Sequence, residues 1–325
     1  MQPLNGDDRG AWLDAVVVSH ALTTTDIAVI DLAPLGGEEF PSYAAGAHVD
    51  VLIDSGMVRQ YSLCGPPGTG RYRLAVLREP ESRGGSRAMH ALKDGDQLRI
   101  SLPRNRFPLV SAQQHLLVAG GIGITPLLAM VYQLDSGGDD YVLHYCARSR
   151  TNAAFMAELS ANSRVRFHFD DEDPRQKLDI AHDLGEPRPD VAVYVCGPAG
   201  FIDYVLGSAQ ELGWPTQALH YERFGDRIIR AEAGPRTDQG FMVRLAATGA
   251  EYFVPEGRSV LDVLLENGVD APYSCQQGIC GECVVQVLAG DPDHRDDVLS
   301  DDERAKGQFT TCVSRSRSSA MELDL

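Results

Sequence analysis

Apolar and polar positions alternate in short bursts over the first third of the chain. The segments AWLDAVVVSHAL, TDIAVIDLAPL, HVDVLID, RQYSLCG, YRLAVLRE and DQLRISLP are rich in β-branched residues and separated by Gly or Pro. Six strands at that spacing predict an antiparallel β-barrel over 1–111, with one helix starting near Ser86 in SRGGSRAMHAL. From about residue 113 the pattern changes. Continuous apolar strands (HLLVAGG, YVLHYCAR, VRFHFD, VAVYVCG) alternate with helical periodicity in TPLLAMVYQLDS, NAAFMAELSAN and PAGFIDYVLGSAQELG. That alternation predicts a doubly wound parallel α/β domain over 112–227. The polar stretch RAEAGPRTDQG reads as a linker, 228–237. Over 238–325 a strand pair, FMVRLAAT and EYFVPEG, precedes the helix SVLDVLLENG, a cysteine-bearing loop, the strand CVVQVLAG and the tail MELDL.

The length of 325 residues suits two or three domains, and 43% hydrophobic with 23% charged residues describes a globular chain. No apolar run reaches membrane-spanning length, and MQPLNGDDRGAWLDAVVV lacks the basic-then-apolar order of a signal peptide. A cytoplasmic protein is expected. Net charge is −17; residues 238–325 hold 16 acidic against 7 basic side chains, a net −9. Such a surface repels nucleic acid and suits docking to a basic patch. Asp291, Asp293, Asp296 and Asp297 are the expected docking carboxylates. Solubility alone is the alternative reading of the same charge.

Four of the seven cysteines stand at Cys275-x4-Cys280-x2-Cys283 and then Cys312, 28 residues on. This is the plant-type spacing for four thiolates around a [2Fe–2S] cluster. Gly278 and Gly281 allow the loop to wrap so that N–H groups face sulfur. Structural zinc, the competing reading, favours paired C-x2-C motifs. Cys64, Cys146 and Cys196 remain, an odd number that fits a reducing compartment. The element order of 238–325 resembles the β-grasp fold of plant-type ferredoxins.

His115-Leu-Leu-Val-Ala-Gly-Gly-Ile-Gly-Ile-Thr-Pro126 reads strand, glycine turn, helix. Gly120, Gly121 and Gly123 are expected to let the backbone approach a pyrophosphate, with Thr125 as N-cap and Pro126 as first helical residue. The turn Cys196-Gly197-Pro198 ends a second parallel strand, where open α/β sheets bind ligands. Cys196 alone reads equally as a small core residue. Asp170 and Asp171 end VRFHFD and are placed to accept hydrogen bonds from a ribose, whereas Arg148 and Arg150 are placed to pair with a 2′-phosphate. In the barrel, Arg59, Tyr61 and Ser62 on one strand, with Gly84-Gly85-Ser86 opening a helix, make a candidate phosphate-and-ring site.

Together RxYS, GGxGxTP, CGP and C-x4-C-x2-C-x28-C resemble the phthalate dioxygenase reductase family: FMN-, NADH- and [2Fe–2S]-containing reductases that serve oxygenases. The tail DPDHRDDVLSDDERAKGQFTTCVSRS is most similar to reductase subunits of the vanillate O-demethylase kind. The resemblance implies that Arg59, Tyr61, Ser62, Gly84, Gly85 and Ser86 hold FMN. It implies that Gly121, Gly123, Thr125, Cys196, Gly197 and Pro198 line the nicotinamide path. Phe224, in YERFG, would cover the region where flavin and nicotinamide meet, and Cys196 would stand beside it. The four motif cysteines, Cys275, Cys280, Cys283 and Cys312, would hold the cluster, and a separate terminal oxygenase, a Rieske-type enzyme of aromatic acids, would be the partner. A cytochrome P450 or non-aromatic monooxygenase partner, and an iron–sulfur redox sensor, are the rival readings. An acidic chain without a helix-turn-helix offers the sensor no DNA-binding output.

Overall fold

The six strands expected in the first segment form, and a short seventh joins them. In this computed structural model the described residues are 12–37, 39–53, 57–80, 82, 84–224, 239–273, 276, 278, 281–296, 298–299 and 301–325. Strands β1 (Trp12–Leu22), β2 (Ile27–Pro34), β3 (Ala47–Leu52), β4 (Val58–Ser62), β5 (Tyr72–Leu77), β6 (Gln97–Ser101) and β7 (Arg104–Asn105) pair antiparallel, in the order β4-β3-β6-β1-β2-β5 with β7 on β3. The ends of that path are joined where the Cys64 N–H donates to the Arg73 carbonyl at 2.9 Å, next to β4 and β5. Alternate residues, among them Ala15, Val17, Ile30, Leu32, Val49 and Leu74, fill the barrel. Helix α1 (Gly85–Ala91) starts one residue before the expected Ser86.

The second segment is a five-stranded parallel sheet in the order β10-β9-β8-β11-β12. Its strands are β8 (Gln114–Gly120), β9 (Asp140–Ala147), β10 (Val165–Phe169), β11 (Val191–Gly197) and β12 (Leu219–Arg223). Helices α2 (Ile124–Gly137), α3 (Met156–Leu159), α4 (Ile180–Asp183) and α5 (Ala199–Glu211) connect them. The central strand β8 is apolar from Leu116 to Gly120 because both faces are covered: Leu117 and Ala119 pack with α2, Leu116 and Val118 with α4 and α5. The expected helix over NAAFMAELSAN is a 3-10 turn at Arg150–Asn152 followed by the single turn of α3. Phe155 causes the break. It adopts a left-handed φ of 60° and buries its ring in the core with Ala153 and Ala154.

The structure divides into two compact units, Met1–Phe224 and Gly225–Leu325. The expected 111/112 boundary lies inside the first, where Ile27, Ala45, Cys64, Ala75 and Phe107 of the barrel segment share one apolar core with α2 and β9. The second unit contains β13 (Phe241–Leu245), β14 (Glu251–Val254), α6 (Val260–Glu266), β15 (Val284–Ala289), β16 (Pro292–Asp293), α7 (Asp301–Ala305), β17 (Gln308–Thr310), β18 (Arg315–Ser316) and β19 (Ala320–Asp324). Its sheet runs β14-β13-β19-β15-β17, with β13 and β19 parallel, and α6 packs on one face. Ser259 and Asp262 form a reciprocal capping box at the start of α6. This is the β-grasp arrangement. Among the described residues no helix is long and apolar enough to cross a membrane.

Candidate functional site

Strand β4 carries Arg59 and Tyr61 on one side, as its period of two requires. The Arg59 guanidinium donates to the Val58 carbonyl at 2.8 Å. Its stem lies so close to the start of α1 that a Cβ on Gly85 would stand 2.8 Å from Arg59 Cγ. Gly84, at φ 117°, makes the turn that brings α1 there. Ser86 Oγ accepts the Glu79 N–H at 3.1 Å and keeps its own proton to donate. Burial pushes the Tyr61 hydroxyl well up, with Arg59 pulling it back, so the phenol stays protonated. A guanidinium, a hydroxyl donor and a glycine-bared helix start fit a phosphate, and Tyr61 offers a ring face. These residues fit FMN.

The glycines at the carboxyl ends of β8 and β11 divide into two kinds. Gly121 has a left-handed φ of 55° and open space where a Cβ would be. Gly120 and Gly123 instead serve packing within the protein. A Cβ on Gly120 would stand 2.8 Å from the Phe201 ring, and one on Gly123 would lie 2.2 Å from the Cys196 carbonyl oxygen. Of the three, only Gly121 leaves open space where a Cβ would be. Thr125 is not the N-cap: α2 begins at Ile124, and the Thr125 hydroxyl is buried and donates to the Ile122 carbonyl at 3.0 Å. The 3-10 turn Gly121–Gly123 runs straight into α2, which moves the helix start one residue ahead of Thr125 and puts Pro126 in the first turn. Gly197 packs against Gly120 and Phe201, while Pro198 is exposed at the sheet edge.

Parallel pairing of β11 with β12 sets Cys196 opposite Glu222. Glu222 reaches the barrel as well, where the Ser62 hydroxyl donates to its carboxyl. The second carboxyl oxygen is buried with no hydrogen-bond partner. Burial pushes Glu222 up to about 8, against the opposing pull of Ser62. The Cys196 thiol is fully buried and pushed well up by burial and by Glu222, so it stays neutral. Ser62, Cys196 and Glu222 thus link the barrel to the switch point of the sheet. Sequence reasoning placed Phe224 here and missed Glu222, two residues earlier in the same YERFG segment; a carboxylate at a strand end was the available signal. Phe224 packs, partly buried, against the shared core.

Asp170 and Asp171 are exposed just past β10, their N–H groups donating to the Ala147 and Arg148 carbonyls. Arg150 is engaged elsewhere. It pairs with Glu172 and lies over the Phe169 ring, 4.8 Å from its centroid. Arg148 is exposed at the same edge.

In the second unit, Cys275 and Cys280 lie outside the described residues. Cys283 and Cys312 are buried with their sulfurs 3.2 Å apart, beyond disulfide bonding and within reach of one metal ion. Gly278 has a φ of 73°, and a Cβ there would stand 2.6 Å from Val313. The buried sulfur pair, with Gly278 packed beside Val313 next to Cys312, fits an iron–sulfur cluster. Asp296 is not the docking carboxylate expected from its charge. It is buried, accepting the Leu299 N–H at 2.9 Å and the Ser314 and Thr310 hydroxyls at 3.1 and 3.3 Å, with Arg304 at 3.5 Å. It ties the segment after β15 to the turn that carries Cys312. Asp297 lies outside the described residues; Asp291 is exposed, and Asp293 is paired with Arg295 at 2.7 Å.

A 2Fe-2S iron–sulfur cluster binding domain matches residues 243–317. Over 321 residues the chain is 46% identical to the vanillate O-demethylase oxidoreductase of Pseudomonas putida, covering 96% of this chain and 100% of that protein. A solved phthalate dioxygenase reductase, described as a modular structure for electron transfer from pyridine nucleotides to [2Fe–2S], is 37% identical with a TM-score of 0.74 and covers 97% of this chain and 98% of its own. An intact type IV self-sufficient cytochrome P450 monooxygenase is 38% identical with a TM-score of 0.83; the match spans 97% of this chain and 41% of that one. Barrel, nucleotide sheet and β-grasp domain in series define a modular flavin and iron–sulfur reductase. The chain belongs to the phthalate dioxygenase reductase family, the reductase components of multicomponent oxygenases that take electrons from NADH through FMN to a [2Fe–2S] cluster.

Proposed function

We propose that this chain supplies electrons to a terminal Rieske-type oxygenase acting on an aromatic acid, by dioxygenation or O-demethylation, in the cytoplasm. The observation that carries the reading is the joining of barrel and sheet edge by Ser62, Cys196 and Glu222. That is where a flavin held by Arg59, Tyr61, Ser62, Gly84, Gly85 and Ser86 would meet a nicotinamide entering past Gly121, Cys196, Gly197 and Pro198. Residues 1–111 hold FMN, 112–227 hold NADH, 228–237 link, and 238–325 carry the cluster on Cys275, Cys280, Cys283 and Cys312. Bound FMN accepts electrons as a pair and releases them singly, which matches a hydride donor to a one-electron cluster. The chain's own residues do the rest. Arg59 and Ser86 anchor phosphate; Gly120, Gly123, Thr125 and Pro126 shape the nucleotide turn; Phe224 covers the meeting point. Glu222 holds a proton beside Ser62, and Asp170 and Asp171 select NADH by repelling a 2′-phosphate.

The vanillate O-demethylase relative favours a demethylase partner. The self-sufficient P450 favours a haem monooxygenase as the second reading. Purified chain, NADH and each candidate oxygenase are mixed and product is followed. Turnover with a Rieske aromatic-acid oxygenase is expected, and coupling to a P450 alone would replace the first reading with the second.

A further inference from the structure

Behind the nucleotide edge, on the face of the sheet covered by α4, three metal-binding side chains converge. His144 of β9, His168 of β10 and Asp183 of α4 present donor atoms that all lie within 4.8 Å of one another. A ring nitrogen of His144, Nδ1, is 3.0 Å from His168 Nε2. Two nitrogens on one tetrahedral zinc, each at about 2.0–2.1 Å, stand about 3.3 Å apart, so the pair needs only a small adjustment to share an ion.

The surroundings prepare these groups as ligands. His168 Nδ1 is 2.7 Å from the Gln176 carbonyl. That acceptor requires the proton on Nδ1 and leaves the Nε2 lone pair facing His144, the arrangement that orients metal-binding imidazoles. His144 is 3% exposed, and its Nε2 is buried without a hydrogen-bond partner. Hydrogen bonds within the protein therefore leave this imidazole incompletely used. Asp183 accepts the Asp179 N–H at 2.8 Å and a contact from His182 Nδ1 at 3.0 Å, which fix its carboxylate while lone pairs remain.

We propose that His144, His168 and Asp183 form a zinc-class divalent metal site that fastens α4, and the 170–183 connection leading to it, onto the parallel sheet. Two imidazoles and one carboxylate match zinc's preferred donors, with water completing the fourth position. The site is separate from the flavin, nucleotide and cluster residues. Its role is to stabilise the connection that begins at Asp170 and Asp171.

The test uses the holoprotein freed of loose metal on a chelating resin, incubated with zinc sulfate and passed through a desalting column. Zinc and iron are then measured together. One zinc per chain at unchanged iron is expected in the wild type, with a raised melting midpoint. His168→Ala and Asp183→Asn should each weaken zinc binding by about 100-fold or more and abolish the thermal gain. Both retain the buried His144, and NADH-driven flavin reduction reports that they fold. Three results would overturn the site: no retained zinc, equal zinc in wild type and both variants, or zinc gained only as iron is lost.

Discussion

Glu222→Gln isolates the buried carboxyl between Ser62 and Cys196. Its folded-state pKa of about 8 stands above the ordinary 4.5. The folded state therefore holds this proton more tightly than the unfolded chain does. The associated stability is fully present below pH 4.5 and is lost as pH rises through 8. At about 1.4 kcal/mol per pH unit, the whole effect is about 5 kcal/mol, of which about 3 kcal/mol falls between pH 5.5 and 8.5. Glutamine keeps the size and hydrogen-bonding ability and cannot ionise. For a unit of this size, with about 2–4 °C per kcal/mol, the variant should gain about 6–12 °C over wild type across that interval. Reading the difference between the two proteins removes titrations they share. In stopped-flow, flavin reduction by NADH should show a pH step near 8 in the wild type and none in the variant. A difference in melting midpoint that stays flat from pH 5.5 to 8.5 would refute the buried, protonated carboxyl.

Gly123→Ala would force a methyl against the Cys196 carbonyl, 2.2 Å away. A loss of about 1–3 kcal/mol in thermal or urea unfolding is expected, together with a raised KM for NADH. Asp296→Ala would remove the buried carboxylate shared by the Leu299 N–H, the Thr310 and Ser314 hydroxyls and Arg304, while the two hydroxyls keep their bond to each other; about 1–3 kcal/mol should be lost from the second unit, with faster bleaching of cluster absorbance. Asp291→Lys at the exposed position should instead leave stability unchanged and alter only the salt dependence of transfer to the oxygenase. Cys312→Ala should abolish electron delivery to a one-electron acceptor such as cytochrome c, while flavin reduction by NADH persists at near wild-type rate. NADH should exceed NADPH in kcat/KM, and equal values would remove Asp170 and Asp171 from the ribose site.

Element types were legible where a period repeats over many residues. Barrel strands, parallel strands and the long helices α2 and α5 follow from alternation and from apolar runs bounded by glycine. The cysteine spacing was legible for the same reason: ligand geometry constrains residues that are close in the chain. The helix expected at NAAFMAELSAN was not, because burying Phe155 in a core shared with the barrel outweighs weak local helix preference.

By itself, the sequence determined the order of the three modules, the cysteine spacing and the glycine turns after the apolar strands. Those depend on spacing and on backbone freedom, which are properties of neighbouring residues. Only the tertiary structure decided what individual polar groups do. Glu222 became a protonated partner of Ser62 because β12 lies beside β11 in register and against the barrel. Asp296, indistinguishable in the sequence from the exposed Asp291, became an internal anchor. His144 and His168, 24 residues apart, meet because β9 and β10 pair in parallel. Burial, partners and pKa are set by contacts between distant segments, and those exist only after the chain has folded.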